Sequence, residues 1–116
     1  SDDFALYSGN DDMVVPLLSV GGIGVISTVA NIIPKDTHTM VMKYLSGNTK
    51  EAGRLQLGMK HLIDAVFIEV NPIPIKAALN LMGKIGLEYR LPLCPPDEKS
   101  MEIIRKELVQ YGLIQQ

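Results

Sequence analysis

Few side chains in this 116-residue chain have the chemistry to hold a metal or attack a substrate, and their spacing limits them further. His38 and His61 lie 23 residues apart on separate predicted helices. No Cys, Asp or Glu joins them at ligand spacing, so the sequence supports no metal site. His61, beside an apolar stripe, reads as a surface or interface residue. Cys94 is the sole cysteine and sits between Leu93 and Pro95. With no partner base evident, it reads as a small apolar residue and not a nucleophile. Gly22-Ile23-Gly24 precedes an apolar run. A dinucleotide fingerprint needs its glycines after a strand and opening a helix, so this is not one. Asn10-Asp11-Asp12 has the chemistry of a helix start, where a small polar residue accepts from free N–H groups and acids suit the dipole.

The elements that must position these groups follow from pattern. Phe4 to Ser8 and Val25 to Val29 read as short buried strands, too short for helices. Between them, Met13 to Val20 reads as a short helix, with Pro16 tolerable only near its start. Gly21 and Gly22 end that helix, and Gly24 permits a close approach before the second strand. Pro34 to Leu45 is the next predicted helix, with Met40, Val41, Tyr44 and Leu45 as its stripe and Gly47 as its stop. Asn48-Thr49-Lys50-Glu51 resembles a capping box with Asn in place of Ser or Thr. It opens a long helix to about Phe67, with Leu55, Met59, Leu62, Ile63 and Val66 on one face. Gly53 and Gly58 weaken that helix and predict close packing against a neighbour. Asn71-Pro72-Ile73-Pro74 reads as an Asn-capped helix start, running to about Met82 and ended by Gly83. The three prolines between Leu91 and Pro96 demand an extended connection. Asp97 caps a last helix to about Tyr111, striped by Met101, Ile104, Leu108 and Tyr111 and stopped by Gly112.

The order is βαβα and then three helices. It is the rhythm of parallel α/β architecture, yet two parallel strands alone leave exposed edges. The pattern therefore points to a part of something larger. The chain has room for one domain. Its net charge of −2 includes no basic block for nucleic acid and no acidic tail. No apolar run approaches the roughly 18 residues of a membrane span, and the N-terminus lacks the shape of a signal peptide. A single cysteine precludes an internal disulfide and suits a reducing compartment. The expectation is a soluble cytoplasmic protein.

Five stretches together carry a family resemblance: Tyr7-Ser8-Gly9-Asn10-Asp11, Gly21-Gly22-Ile23-Gly24-Val25-Ile26-Ser27, Ala30-Asn31, Asn71-Pro72-Ile73-Pro74-Ile75-Lys76 and Arg90-Leu91-Pro92-Leu93. In this order the chain resembles the C-terminal part of the dihydrodipicolinate synthase family, among the pyruvate-dependent class I aldolases and lyases. N-acetylneuraminate lyase is a relative. Ser1-Asp2-Asp3-Phe4 also fits the family, as native sequence and not a tag. The resemblance implies a fragment of a (β/α)₈ TIM barrel, its last two strands with their helices, over residues 1–46. An all-helical C-terminal subdomain follows over 47–116. A whole barrel takes about 250 residues.

The family condenses pyruvate with aspartate semialdehyde on the route to lysine and diaminopimelate. It holds pyruvate as a Schiff base on a lysine and moves protons with a tyrosine. Both groups lie upstream of this sequence in the family pattern. The resemblance therefore implies no catalytic residue and no cofactor here, and a chain inactive by itself. Lys35, Lys43, Lys50, Lys60, Lys76, Lys84, Lys99 and Lys106 fall in predicted helices or loops, away from the dry strand position that activates a lysine. Tyr7, Tyr44, Tyr89 and Tyr111 do not match the catalytic tyrosine. Two substrate-binding positions do map. Ile26 matches the strand-eight position whose backbone borders pyruvate, with barrel packing as its structural role. Gly9 matches the end of strand seven, where a missing side chain leaves room for substrate. Many relatives carry two aspartates where this chain has Asn10 and Asp11, and helix capping is the preferred role of the pair. Implied partners are pyruvate, the N-terminal part of the same enzyme and further copies of the chain. Neither nucleic acid nor a membrane is implied. The competing readings are a non-enzymatic helical assembly module whose strands pair with another copy, or a related pyruvate-dependent aldolase such as N-acetylneuraminate lyase.

Overall fold

The computed structural model describes residues 3–116. Strand β1 (Tyr7–Ser8) runs parallel to β2 (Gly24–Val25), with Tyr7 opposite Gly24 and Ser8 opposite Val25. A 3₁₀ turn at Asp11–Met13 and helix α1 (Val14–Ser19) connect them. A second 3₁₀ turn, Val29–Asn31, leads into α2 (Pro34–Leu45). Three helices follow: α3 (Thr49–Val66), α4 (Ile73–Leu81) and α5 (Glu98–Tyr111). The chain divides into two compact units, Ser1–Lys60 and His61–Gln116. Among the described residues no helix is long and apolar enough to cross a membrane.

In the first unit, α1 packs on both strands and on α2. Val14, Leu18, Val29, Ile32, Ile33 and Met40 are buried there. The helix boundaries lie close to those expected from periodicity, and the stop glycines explain why. Gly21, Gly47, Gly83 and Gly112 all take positive φ. At Gly112 (φ 86°) the amide returns to the Val109 carbonyl, and that of Leu113 to the Leu108 carbonyl, a closure an L side chain resists. Gly24 is required for space instead, since a Cβ there would stand 3.0 Å from the Tyr7 ring.

Both strands are shorter and more exposed than the pattern predicts. The expected strand from Phe4 to Ser8 is formed only at Tyr7 and Ser8, and Phe4 is 77% exposed. Backwards the ladder gains one more bond, from the Ile23 amide to the Leu6 carbonyl at 2.9 Å, and before it the amides of Gly21 and Gly22 are taken by the Leu18 and Leu17 carbonyls. The expected strand from Val25 to Val29 ends at Val25, because the amides of Thr28 and Val29 turn to the Asp11 carboxylate.

Helix starts also differ. Asn48 accepts from the Glu51 amide at 3.3 Å, but the Glu51 carboxylate pairs with Arg54 and does not return to close the box. Asn71 does not cap α4. Its N-cap is Pro72, after a cis Asn71–Pro72 peptide, and the Ile73 amide bonds the Val70 carbonyl at 2.9 Å. Asp97 does cap α5, accepting from the Ser100 amide at 2.7 Å. In α3, Met59, Leu62, Ile63 and Val66 are buried as the stripe predicts, and Leu55 is half-buried. The close packing expected at Gly53 and Gly58 is absent among the described residues, where an added Cβ meets nothing within 4 Å.

In the second unit α4 packs on α5. Ile73, Ile75, Ala77 and Ala78 of α4 and Ile104 and Leu108 of α5 are buried. The Tyr89 hydroxyl donates to the Ile73 carbonyl at 2.8 Å. Burial pushes the Tyr89 phenol above its ordinary value, with the charges of Glu69 and Cys94 adding to the effect.

Candidate functional site

The parallel register brings the two mapped positions to one end of the strand pair. Ser8 stands opposite Val25, so Gly9 and Ile26 are the next residues out on each strand. The Ile26 amide donates to the Ser8 carbonyl at 2.9 Å and carries the ladder one residue past β2. The Ile26 side chain is 73% exposed, so it is not a core residue within this chain. Space beside the Gly9 Cα is open, with nothing within 4 Å of an added Cβ. This end is the C-terminal end of both strands, where a parallel α/β sheet collects its functional loops.

One buried carboxylate organises the loops at this end. Asp11 is 3% exposed. It accepts from the Ser27 hydroxyl, from the Thr28 amide at 3.0 Å and from the Val29 amide at 2.9 Å. Ser27 Oγ in turn accepts from the Ala30 amide at 2.9 Å. The turn that follows Ile26 is thus capped by a residue from the loop after β1. Neither Asn10 nor Asp11 caps the helical segment it precedes, which corrects the local capping role expected for this pair. The Ser8 hydroxyl completes the β1 side, donating to the Asn10 carbonyl at 2.7 Å.

Gln56 of α3 supports the same loop and was not singled out by the sequence. Its Nε2 donates to the Asp11 carbonyl at 2.8 Å, and its Oε1 accepts from the Val15 amide at 3.1 Å. Both ends of a buried amide are therefore used on one short segment. The available signal was a polar residue standing between Ala52 and Met59 in an otherwise apolar stripe.

The other candidates lie elsewhere. Seven of the eight lysines are exposed. The half-buried one, Lys76, donates to the Glu88 carbonyl, and its Nζ sits 5.0 Å from the centre of the Tyr89 ring. Cys94 is a free, exposed thiol. Among the described residues no cluster of three or more His, Cys, Asp or Glu could hold a metal ion. A groove of about 300 Å³ runs beside β2 and α2, lined by Tyr7, Gly24, Val25, Ser27, Thr37 and His38 among others. Neither Gly9 nor Ile26 lines it.

Known proteins are similar to this chain in both sequence and overall fold. The 4-hydroxy-tetrahydrodipicolinate synthase of Acetivibrio thermocellus is 58% identical over 112 residues, 97% of this chain and 38% of the relative. The crystal structure of dihydrodipicolinate synthase from Thermotoga maritima superposes with a TM-score of 0.95 at 47% identity, over 97% of this chain and 38% of that one. The chloride-inhibited dihydrodipicolinate synthase of Acinetobacter baumannii, complexed with pyruvate, gives 0.91 at 37% identity, over 96% and 38% respectively. The chain thus spans about 38% of the length of the relatives it matches. The family model for dihydrodipicolinate synthetases matches residues 1–111, nearly all of the sequence, and the chain belongs to that family.

Proposed function

We propose that this chain is the C-terminal part of a Schiff-base lyase. The complete enzyme condenses pyruvate with aspartate semialdehyde in lysine and diaminopimelate biosynthesis, in the cytoplasm. The observation that carries the reading is 58% identity across 97% of the chain to a protein named for that synthase activity. Residues 1–46 are the last two strands of a (β/α)₈ barrel with their helices, and 47–116 are its helical subdomain. The Schiff-base lysine and catalytic tyrosine belong to the N-terminal part of the enzyme. This chain supplies one wall of the pyruvate pocket, through the backbone at Ile26 and the open space at Gly9. That both positions lie at the same end of adjacent strands supports the assignment. The complete enzyme also associates with further copies of itself.

Borohydride trapping with pyruvate, read by intact mass, tests the proposal. The chain alone is expected to gain no adduct. Joined to the N-terminal part, the assembly is expected to trap one pyruvate per enzyme, on a lysine outside these 116 residues. A stoichiometric adduct on this chain, or none on the complete enzyme, overturns the proposal.

The competing reading, a helical module without activity, draws on the exposure of Phe4, Ile26 and Leu57, each above 70%. Under it the chain alone forms a defined homo-oligomer in sedimentation, and the complete polypeptide traps no pyruvate.

A further inference from the structure

We infer that Asp11 is a positioning residue for the pyruvate wall: it holds the backbone at Ile26 by tying down the three residues that follow. The inference rests on the functional reading above and deepens it. Ile26 lies beyond the end of β2, and its amide bond to the Ser8 carbonyl fixes it from the strand side. On its other side, Ser27, Thr28 and Val29 all donate to one carboxylate. That carboxylate lies two residues after Gly9, so it links the two mapped positions directly.

The anchor is itself held. Gln56 grips the Asp11 carbonyl and the Val15 amide, so the loop carrying the carboxylate is braced from α3. A buried carboxylate with three donors leaves little freedom to the turn it caps, because moving away would strand the buried Val29 amide and the carboxylate itself without partners. Displacements of about 1 Å in a substrate-positioning backbone cost on the order of 100-fold in turnover efficiency. Asp11 has no need to touch pyruvate to exert this control.

The test uses the complete synthase carrying this segment. Asp11→Asn removes the charge, leaves one weaker acceptor oxygen for the Thr28 and Val29 amides, and sets an NH2 against the Ser27 hydroxyl that donates to the carboxylate. The KM for pyruvate is expected to rise roughly 10- to 100-fold, while kcat changes less and borohydride trapping at saturating pyruvate stays stoichiometric. Ser27→Ala removes one of the three donors and is expected to raise KM several-fold, with Ser27→Thr restoring it. The Ser27 pair decides the matter if Asp11→Asn does not fold. Lower thermal stability with an unchanged pyruvate KM in either Asp11→Asn or Ser27→Ala overturns the inference. A wild-type enzyme that traps no pyruvate overturns the functional reading alone. Amide exchange at residues 26–30 then still decides whether Asp11 holds the segment, since unchanged exchange in Asp11→Asn sinks it.

Discussion

At the strand mouth, the carboxylate of Asp11 holds groups 16 to 18 residues away; in α5, the carboxylate of Asp97 holds the amide of Ser100, three residues away. The two aspartates use the same chemistry, acceptance from free backbone amides at a helical start. They differ in what the bond joins. Asp97 closes its own helix, and the packing around it is apolar, with Ile104 and Leu108 fully buried. Asp11 joins two separate loops and is itself buried, with Gln56 and Ser27 as further polar partners. The first arrangement stabilises an element. The second holds the backbone just past the last strand-pairing bond, that of the Ile26 amide to Ser8. That difference separates a cap that closes its own helix from one that joins two loops.

Substitutions in each region are expected to break differently. Leu108→Ala empties a fully buried site in α5. It is expected to cost about 3 kcal/mol in a denaturant titration. A loss under about 1 kcal/mol would mean that α5 is not anchored by its apolar stripe. Asp11→Asn is expected to cost about 2 kcal/mol, with hydrogen exchange accelerated at Thr28 and Val29 and unchanged along α5. Uniform acceleration through both regions would erase the distinction drawn here.

Gly58→Ala is expected to stabilise the chain by about 1 kcal/mol, because the added methyl meets open space and the helix loses a flexible residue. Destabilisation instead would reveal a neighbour packed on that face. The smallest effect is expected at Asp97. The Ser100 amide, first among its causes, holds this carboxyl below its ordinary value. A depressed folded-state pKa means the cap contributes above the unfolded value near 3.8 and is lost as pH falls through the folded value. Wild type and Asp97→Asn are therefore expected to differ at neutral pH and to converge at strongly acidic pH. A difference that persists in acid would remove the carboxylate from the account.

The same contrast explains which features could be read in advance. The last helix was legible to within a residue, since the Asp97 cap, the Ile104 and Leu108 stripe and the Gly112 stop each act on residues a few positions away. The family was legible too, because motifs such as Tyr7-Ser8-Gly9 and Gly24-Val25-Ile26-Ser27 are contiguous. At Asn71 the local rule failed, as the Val70 carbonyl took the amide that capping chemistry had assigned to a side chain.

Sequence by itself determined the helices, their glycine stops, the βαβ order and the family. Each rests on interactions between residues close along the chain, where side-chain type and spacing leave few alternatives. Tertiary structure alone decided where the strands end, which turn Asp11 caps and why Gln56 is buried. Those outcomes depend on which donors and acceptors meet once the loops converge. A buried amide must find a partner, and the partner it finds can stand 17 residues away, as for Thr28, or 45, as for the Asp11 carbonyl and Gln56.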